Sequence, residues 1–326
     1  MTDSPSLFKK ILISALHALN KFDYGLALPL IGRLPLPLAY RLSAIRGACN
    51  AILKRDWRSL VMQTRHVARH STLAYREICP EKSHAQIVSM VKQRYKAESR
   101  EEFEAKLICN QRVHELTCSS DAESFIKQYR ESAKGLVLLT PHFDSFILGV
   151  VFLGRLGLKV NLMSSLAPGA QEWDSAIYKH VVSKYESMEP YLNGGKVVPL
   201  EVGMRPFYQM LKRKEILVIL GDVPLGGDNN TPLEARFINK TRRLSGGPYR
   251  MAQKTDSNLA SFVCEYKSGT QYSLTISDVF NLESSDCVQN AYDFLSEQIL
   301  RAPEKWWASY LLSELPPVES TADAER

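Results

Sequence analysis

From Gly135 to Leu220 the chain alternates short apolar runs with helical stretches, and few folds satisfy that alternation. Residues 136–140 read LVLLT, a run long enough for a buried strand and too short for a helix. Residues 158–162, 197–200 and 216–220 read the same way, and the stretches between them, 145–156, 172–189 and 204–213, carry helical periodicity. Strand–helix–strand units of this kind build a mostly parallel sheet with helices on its faces. Two more runs, 259–267 and 271–278, flank Ser268-Gly269 and predict a hairpin. A helix over 286–301 follows, then a polar tail without ordered structure over 316–326. Upstream, residues 39–130 predict helices throughout, among them 39–54, 57–76 and 83–91. The expected fold class is therefore α/β, a mostly parallel central sheet with flanking helices and an N-terminal helical layer, in one structural domain. Its parts are an amphipathic and helical region over 1–130, a core over 131–312 and a tail over 313–326.

With 326 residues, 45% hydrophobic and 23% charged, the chain can bury a sizeable core, which excludes a disordered or collagen-like polymer. Its charge is uneven. Residues 1–76 hold 12 Lys/Arg and 3 Asp/Glu, a net of +9, whereas the remainder carries a net of −3. A basic block attracts anionic lipid, acidic protein or nucleic acid, and charge alone does not choose among them. Residues 5–20 place Phe8, Leu12, Ala15, Leu16 and Leu19 on one side at helical spacing. Such an amphipathic helix either docks on its own domain or lies in a membrane interface. The next segment, GLALPLIGRLPLPLAY, is apolar and broken by Pro29, Pro35 and Pro37, which suits a bilayer edge or a substrate entrance. Neither 11–20 nor 24–32 reaches the roughly 20 apolar residues of a membrane span, and no small-residue cleavage site follows Lys9 and Lys10. The chain thus reads as soluble or peripheral. Six cysteines without a CxxC pair read as reduced thiols and not as a zinc site.

In open α/β sheets, ligands bind beyond the carboxyl ends of the strands. Two such ends carry polar residues, TPHFDS at 140–145 and GDVPLGG at 221–227. His142, just past a buried strand, is placed as a general base because imidazole titrates near neutrality. The simpler reading is a packing or capping histidine, and Asp144, Ser145 and Asp222 all make good caps. Residues 241–248, TRRLSGGP, open a helix whose free N–H groups suit a phosphate or an oxyanion. Ser145, Arg242, Arg243, Ser245, Gly246 and Gly247 are accordingly the substrate-binding candidates, and the two arginines serve equally as docking charges for an acidic partner. There is no GxSxG, HExxH or phosphate-loop pattern. His66 and His70 have metal-ligand spacing, but Arg65 and Arg69 beside them repel a cation. Trp306 and Trp307 read as core or interfacial anchors, and nothing beyond charge supports nucleic-acid binding.

Four blocks, LTPHFDSFILG, GDVPLGG, FINKTRRLSGGPYRMAQKTDSNLASFV and APEKWWASYLL, resemble in order and separation the bacterial lipid A late acyltransferases. These are the lauroyl/myristoyl transferases of the lysophospholipid acyltransferase superfamily, and the likeness runs over roughly residues 25–312. The resemblance implies a glycerolipid acyltransferase-like fold and transfer of a fatty acyl group from a thioester of acyl carrier protein, or of coenzyme A. The acceptor is a hydroxyl or amine of a lipid or small molecule. It further implies work at the cytoplasmic face of the inner membrane, against a membrane lipid surface, with no cofactor, metal or nucleic acid. The family's histidine, its general base, falls on His142. The acidic residue that orients it, five positions later, falls on Ile147, which has no charge to offer. Two carboxylates compete to replace it. Asp144 ranks ahead, provided the chain is still in the turn before the helix, and Asp222 matches the first aspartate of the family's acidic turn. Beyond the next strand the family often carries an arginine where this chain reads Asn161-Leu162-Met163-Ser164-Ser165, which points away from a lipid A acceptor. Two other readings stand beside the leading one. One is a non-catalytic relative that binds a lipid or a carrier protein; the other is an acyltransferase acting on a secondary metabolite or a carrier-tethered intermediate.

Overall fold

The computed structural model describes residues 7–56, 67–165, 175–224 and 232–318. Its sheet has seven strands in the order β1-β9-β8-β2-β5-β3-β4. In chain order these are β1 (Thr117–Ser120), β2 (Leu136–Thr140), β3 (Val160–Ser164), β4 (Val197–Pro199), β5 (Ile216–Leu220), β8 (Asn258–Ser268) and β9 (Gln271–Ile276). A separate antiparallel hairpin joins β6 (Pro232–Phe237) to β7 (Lys240–Ser245). Strands β8, β2, β5, β3 and β4 pair in parallel, and β9 folds back on β8 and pairs with β1. The mostly parallel sheet is as expected. Strand β2 is buried along its whole length, and β5 nearly so, because apolar side chains on both faces of a strand need a layer on each side.

Helices Phe146–Arg155, Ser175–Met188 and Arg205–Lys212 supply the crossovers that the periodicity implied. The first is the most buried, with only its terminal Arg155 exposed. It approaches β8 so closely that a Cβ on Gly149 would lie 2.7 Å from Cys264 Cβ and from a Phe262 ring carbon.

Other expectations are corrected. The all-helical reading of 39–130 misses β1, which pairs at the sheet edge although its side chains are mostly exposed. The helix read at 83–91 runs over His84–Cys109, 26 residues, starting at a capping box between Ser83 and Gln86. The helix read at 57–76 is observed as Val67–Ile78, and residues 57–66, with His66, lie outside the described ones. His70 instead meets the Ser313 hydroxyl at 2.9 Å. The tail is ordered at its start, where Pro317 bridges Arg242 and Val318 N–H donates to Thr241 O at 2.9 Å.

The N-terminal layer packs helix Leu36–Leu53 on His84–Cys109, and its contact is ionic as well as apolar. Arg46 is buried and forks onto Asp23 at 2.8 and 2.7 Å, reaching Glu102 at 2.5 Å. Arg94, fully buried, pairs with Asp56 at 2.8 Å and donates to Trp307 O at 2.6 Å. Among the described residues, no helix is long and apolar enough to cross a membrane.

Overpacking a filled core forces neighbours to shift. Gly149→Ala should therefore lower the unfolding free energy by about 1–3 kcal/mol, read as the urea midpoint; an unchanged midpoint would contradict the close packing of this helix on β8.

Candidate active site

Strands β2 and β5 are parallel neighbours in register, with Thr140 opposite Leu220, and Gly221 N–H donates to Thr140 O at 2.9 Å. Two residues past each paired end, the chain presents His142 and Asp222. The fold brings them together. Asp222 Oδ2 accepts from the His142 backbone N–H at 2.8 Å, and Oδ1 lies 2.9 Å from His142 Nδ1. The Trp306 indole N–H donates to Oδ2 at 2.8 Å. A carboxylate only accepts, so Nδ1 carries the hydrogen and Nε2 is the free basic nitrogen. Asp222 is fully buried. Burial alone would raise its carboxyl, but the adjacent His142 and the bonds from His142 and Trp306 prevail and hold it below the ordinary range. The imidazole itself keeps 18% of its surface open to solvent. Trp307 and Phe146 flank the ring edge-on, with centroids at 4.8 and 5.5 Å.

The ranking of Asp144 ahead of Asp222 is reversed. Asp144 does sit in the turn before the helix, at φ 44°, as its candidacy required. That left-handed turn aims its carboxylate at other partners. Arg100 bonds Oδ1, Lys305 lies 3.3 Å from Oδ2, and Tyr266 N–H donates to Oδ2 at 3.1 Å. Its backbone is held too, since Asp144 N–H donates to Lys305 O at 2.8 Å and the Trp307 indole to Asp144 O at 3.3 Å. Asp144 thus fixes the loop that carries His142. Ile147, where the resemblance implied an acid, is core.

The substrate-binding candidates lie in different surroundings. Ser145 is buried and donates its hydroxyl to Glu104 Oε1 at 2.9 Å. Arg242 is buried as well: it donates to Phe237 O at 3.1 Å and Leu315 O at 2.7 Å and pairs with Glu77 at 2.5 Å. It staples the β6–β7 hairpin, because in a two-strand ribbon alternate side chains face inward. Arg243, next in the alternation, is exposed, 3.9 Å from Glu234. Ser245 and Gly247 are half-buried and Gly246 buried at the start of helix Gly247–Thr255. That helix leads directly into the start of β8, so its N-terminus lies toward the carboxyl edge where His142 sits. Gly226 and Gly227 lie outside the described residues.

Residues that sequence reasoning missed complete the arrangement: Trp306, Trp307, Arg100 and Glu104. Glu104 is buried, accepts from Ser145 and from Tyr272 at 2.9 Å, and has no partner for Oε2 among the described residues. Burial pushes its carboxyl up to about 8, with Arg100 pulling the other way and Asp144 adding to the push. The adjacent Trp306-Trp307 pair was the available signal. The two helix residues offered none, because charged side chains at helical spacing read as a solvated face. No group of three or more metal-ligating side chains occurs among the described residues.

Glu104 makes stability depend on pH with a definite sign. Its folded value near 8 exceeds the ordinary 4.5, so between those values the folded state holds a proton that the unfolded chain releases. The stabilisation is complete below the ordinary value and is lost as pH rises through the folded one. Glu104→Gln, which stays neutral, should gain stability relative to the parent between about pH 5 and about pH 8 in urea unfolding. A difference independent of pH would contradict a buried, protonated Glu104.

The pattern that defines the family described as "Bacterial lipid A biosynthesis acyltransferase" matches residues 76–309. No curated protein matches the sequence. Among solved structures, the 1-acyl-sn-glycerophosphate acyltransferase PlsC from Thermotoga maritima overlays with a TM-score of 0.35 at 11% identity, covering 80% of this chain and 96% of that one. A likeness that slight bears on neither the site nor the reaction. The family match takes in both strand ends and the tryptophan pair, and the chain belongs to the bacterial lipid A biosynthesis acyltransferase family.

Proposed function

We propose that this acyltransferase moves an acyl group from a thioester to a hydroxyl or amine, with Nε2 of His142 as general base and Asp222 as the carboxylate behind it. The observation that carries this reading is the 2.9 Å contact between His142 Nδ1 and Asp222 Oδ1. Nε2 removes the acceptor's proton as its oxygen or nitrogen attacks the thioester carbonyl. The carbon–sulfur bond then breaks, and the imidazolium returns the proton to the leaving thiolate. Asp222 stabilises the imidazolium, and an anion sealed from water does so more strongly than an exposed one. The first-turn N–H groups at Gly246 and Gly247 serve as donors for the oxyanion in this reading. Phe146, Trp307 and the exposed Val223 beside Asp222 give the acyl chain apolar walls.

Acyl carrier protein, or coenzyme A, is the proposed donor, and the exposed Arg243 suits an acidic carrier. Work at a membrane surface is supported by Leu19, Phe22, Leu26 and Leu30, which are exposed at helical spacing along the first helices, and its cytoplasmic face is part of the same proposal. The acceptor is a lipid or a small molecule. The stretch 161–165, where the resemblance led one to expect an arginine, has none, and its Asn161 is committed inside the sheet to Glu215 and Ile216 O at 3.0 and 3.1 Å.

The test is transfer of a labelled acyl chain from carrier protein or coenzyme A into a membrane extract. His142→Ala should lose about 10²–10⁴-fold in rate with its fold intact. Asp222→Asn should lose more rate per folded molecule than Asp144→Asn, whose main effect should be on stability. Full turnover by His142→Ala would remove the base assignment, and equal losses in the two aspartate variants would remove the partner assignment.

A further inference from the structure

Where the N-terminal layer meets the core, helices Leu36–Leu53 and His84–Cys109 line a pocket of about 380 Å³ together with Tyr266 of β8 and the turn at Glu304 and Lys305. Four cations line it, Arg41, Lys96, Arg100 and Lys305, against the single carboxylate of Glu304. Two of these charges are committed. Arg100 bonds Asp144 and lies over the Tyr266 ring at 4.6 Å, and Lys305 pairs with Glu265 at 2.8 Å. Arg41 and Lys96 form no ion pair within the described residues. One wall is aromatic, with the Tyr40 and Tyr266 rings stacked at 5.0 Å.

The surroundings of Arg41 indicate what kind of anion reaches it. Leu38, Arg41, Ile45 and Ile52 follow one another at spacings of three, four and seven, so they share a face of the helix. That face is exposed: Leu38 by 46%, Ile45 by 57% and Ile52 by 76%. A cationic pocket flanked by bare aliphatic side chains on one helix matches the boundary of a bilayer, where phosphates lie just above hydrocarbon. It does not match water, where the aliphatic surface is unfavourable.

We propose that this pocket binds the phosphate of an anionic lipid headgroup through Arg41 and Lys96, with Leu38, Ile45 and Ile52 entering the acyl layer beside it. His142 does not line this pocket. Its floor is not independent of the active-site loop, because Arg100 and Lys305 each also hold Asp144. The proposal rests on the reading that the enzyme works at a lipid surface and names the residues that meet it.

The test is sedimentation of the full chain with phosphatidylcholine vesicles, with and without phosphatidylglycerol. Arg41→Gln/Lys96→Gln should weaken binding to the anionic vesicles by roughly 10- to 30-fold. Lys127→Gln/Lys212→Gln, which removes the same charge from exposed positions elsewhere, should change it by less than about threefold. Circular dichroism should show both variants folded, since none of the four side chains supports the core. Glycerol 3-phosphate in solution should not release the bound protein, because it lacks the chains that Leu38, Ile45 and Ile52 require. Equal losses in the two double variants would overturn the pocket and leave the surface reading in place, and release by glycerol 3-phosphate would overturn the lipid as the source of its phosphate. Failure of the parent chain to bind anionic vesicles at all would overturn both.

Discussion

Three N–H groups converge on the Asp222 carboxylate, which has no access to water: the backbone and ring of His142 and the indole of Trp306. An ion in that position is tolerated only when donors replace the water it has lost. The site's geometry follows from that requirement. The β2–β5 register brings the backbone of His142 within reach, and the bridge between Phe143 and Trp306 brings the indole. With the two oxygens so engaged, the imidazole is held in one orientation and one tautomer. The ring packs edge-on against Phe146 and Trp307 and keeps 18% of its surface open to solvent.

The N-terminal layer supports this arrangement from behind. Arg94, buried and paired with Asp56, holds the carbonyl of Trp307. Arg100 holds Asp144 in a left-handed turn, a conformation that costs a residue other than glycine roughly 1–3 kcal/mol. Ion pairing to Arg100 and Lys305 and the bond from Tyr266 N–H offset that cost and keep His142 over Asp222. The helix His84–Cys109 therefore backs the loop that carries His142. Ile147, on the helix after His142, is core, and the carboxylate that meets the imidazole arrives from the end of the neighbouring strand β5.

The alternation after Gly135 made the sheet legible before any coordinates, and the four parallel strands from β2 to β5 fall within two residues of their expected bounds. The strand ends likewise named His142 and Asp222. Their pairing was not legible, because spacing says nothing about which strands are neighbours, and β5 lies beside β2 only through the order of the whole sheet. Asp144 looked better because it is close in sequence; its turn decides otherwise. Arg242 is buried although β6–β7 lacks strong apolar alternation, and Glu104 is buried although its helix is rich in charged residues. In each case tertiary burial overrides the local pattern.

A carboxylate at Asp222 that only accepts should fix the tautomer of His142 with Nδ1 protonated and Nε2 free. Nitrogen-15 NMR of the protein labelled in its histidine rings reads this directly, at a pH where His142 is neutral. The hydrogen should reside on Nδ1 in the parent chain and in folded Asp144→Asn, and the ring should become a mixture of tautomers in Asp222→Asn. A parent ring protonated on Nε2, or one indifferent to Asp222→Asn, would contradict the account.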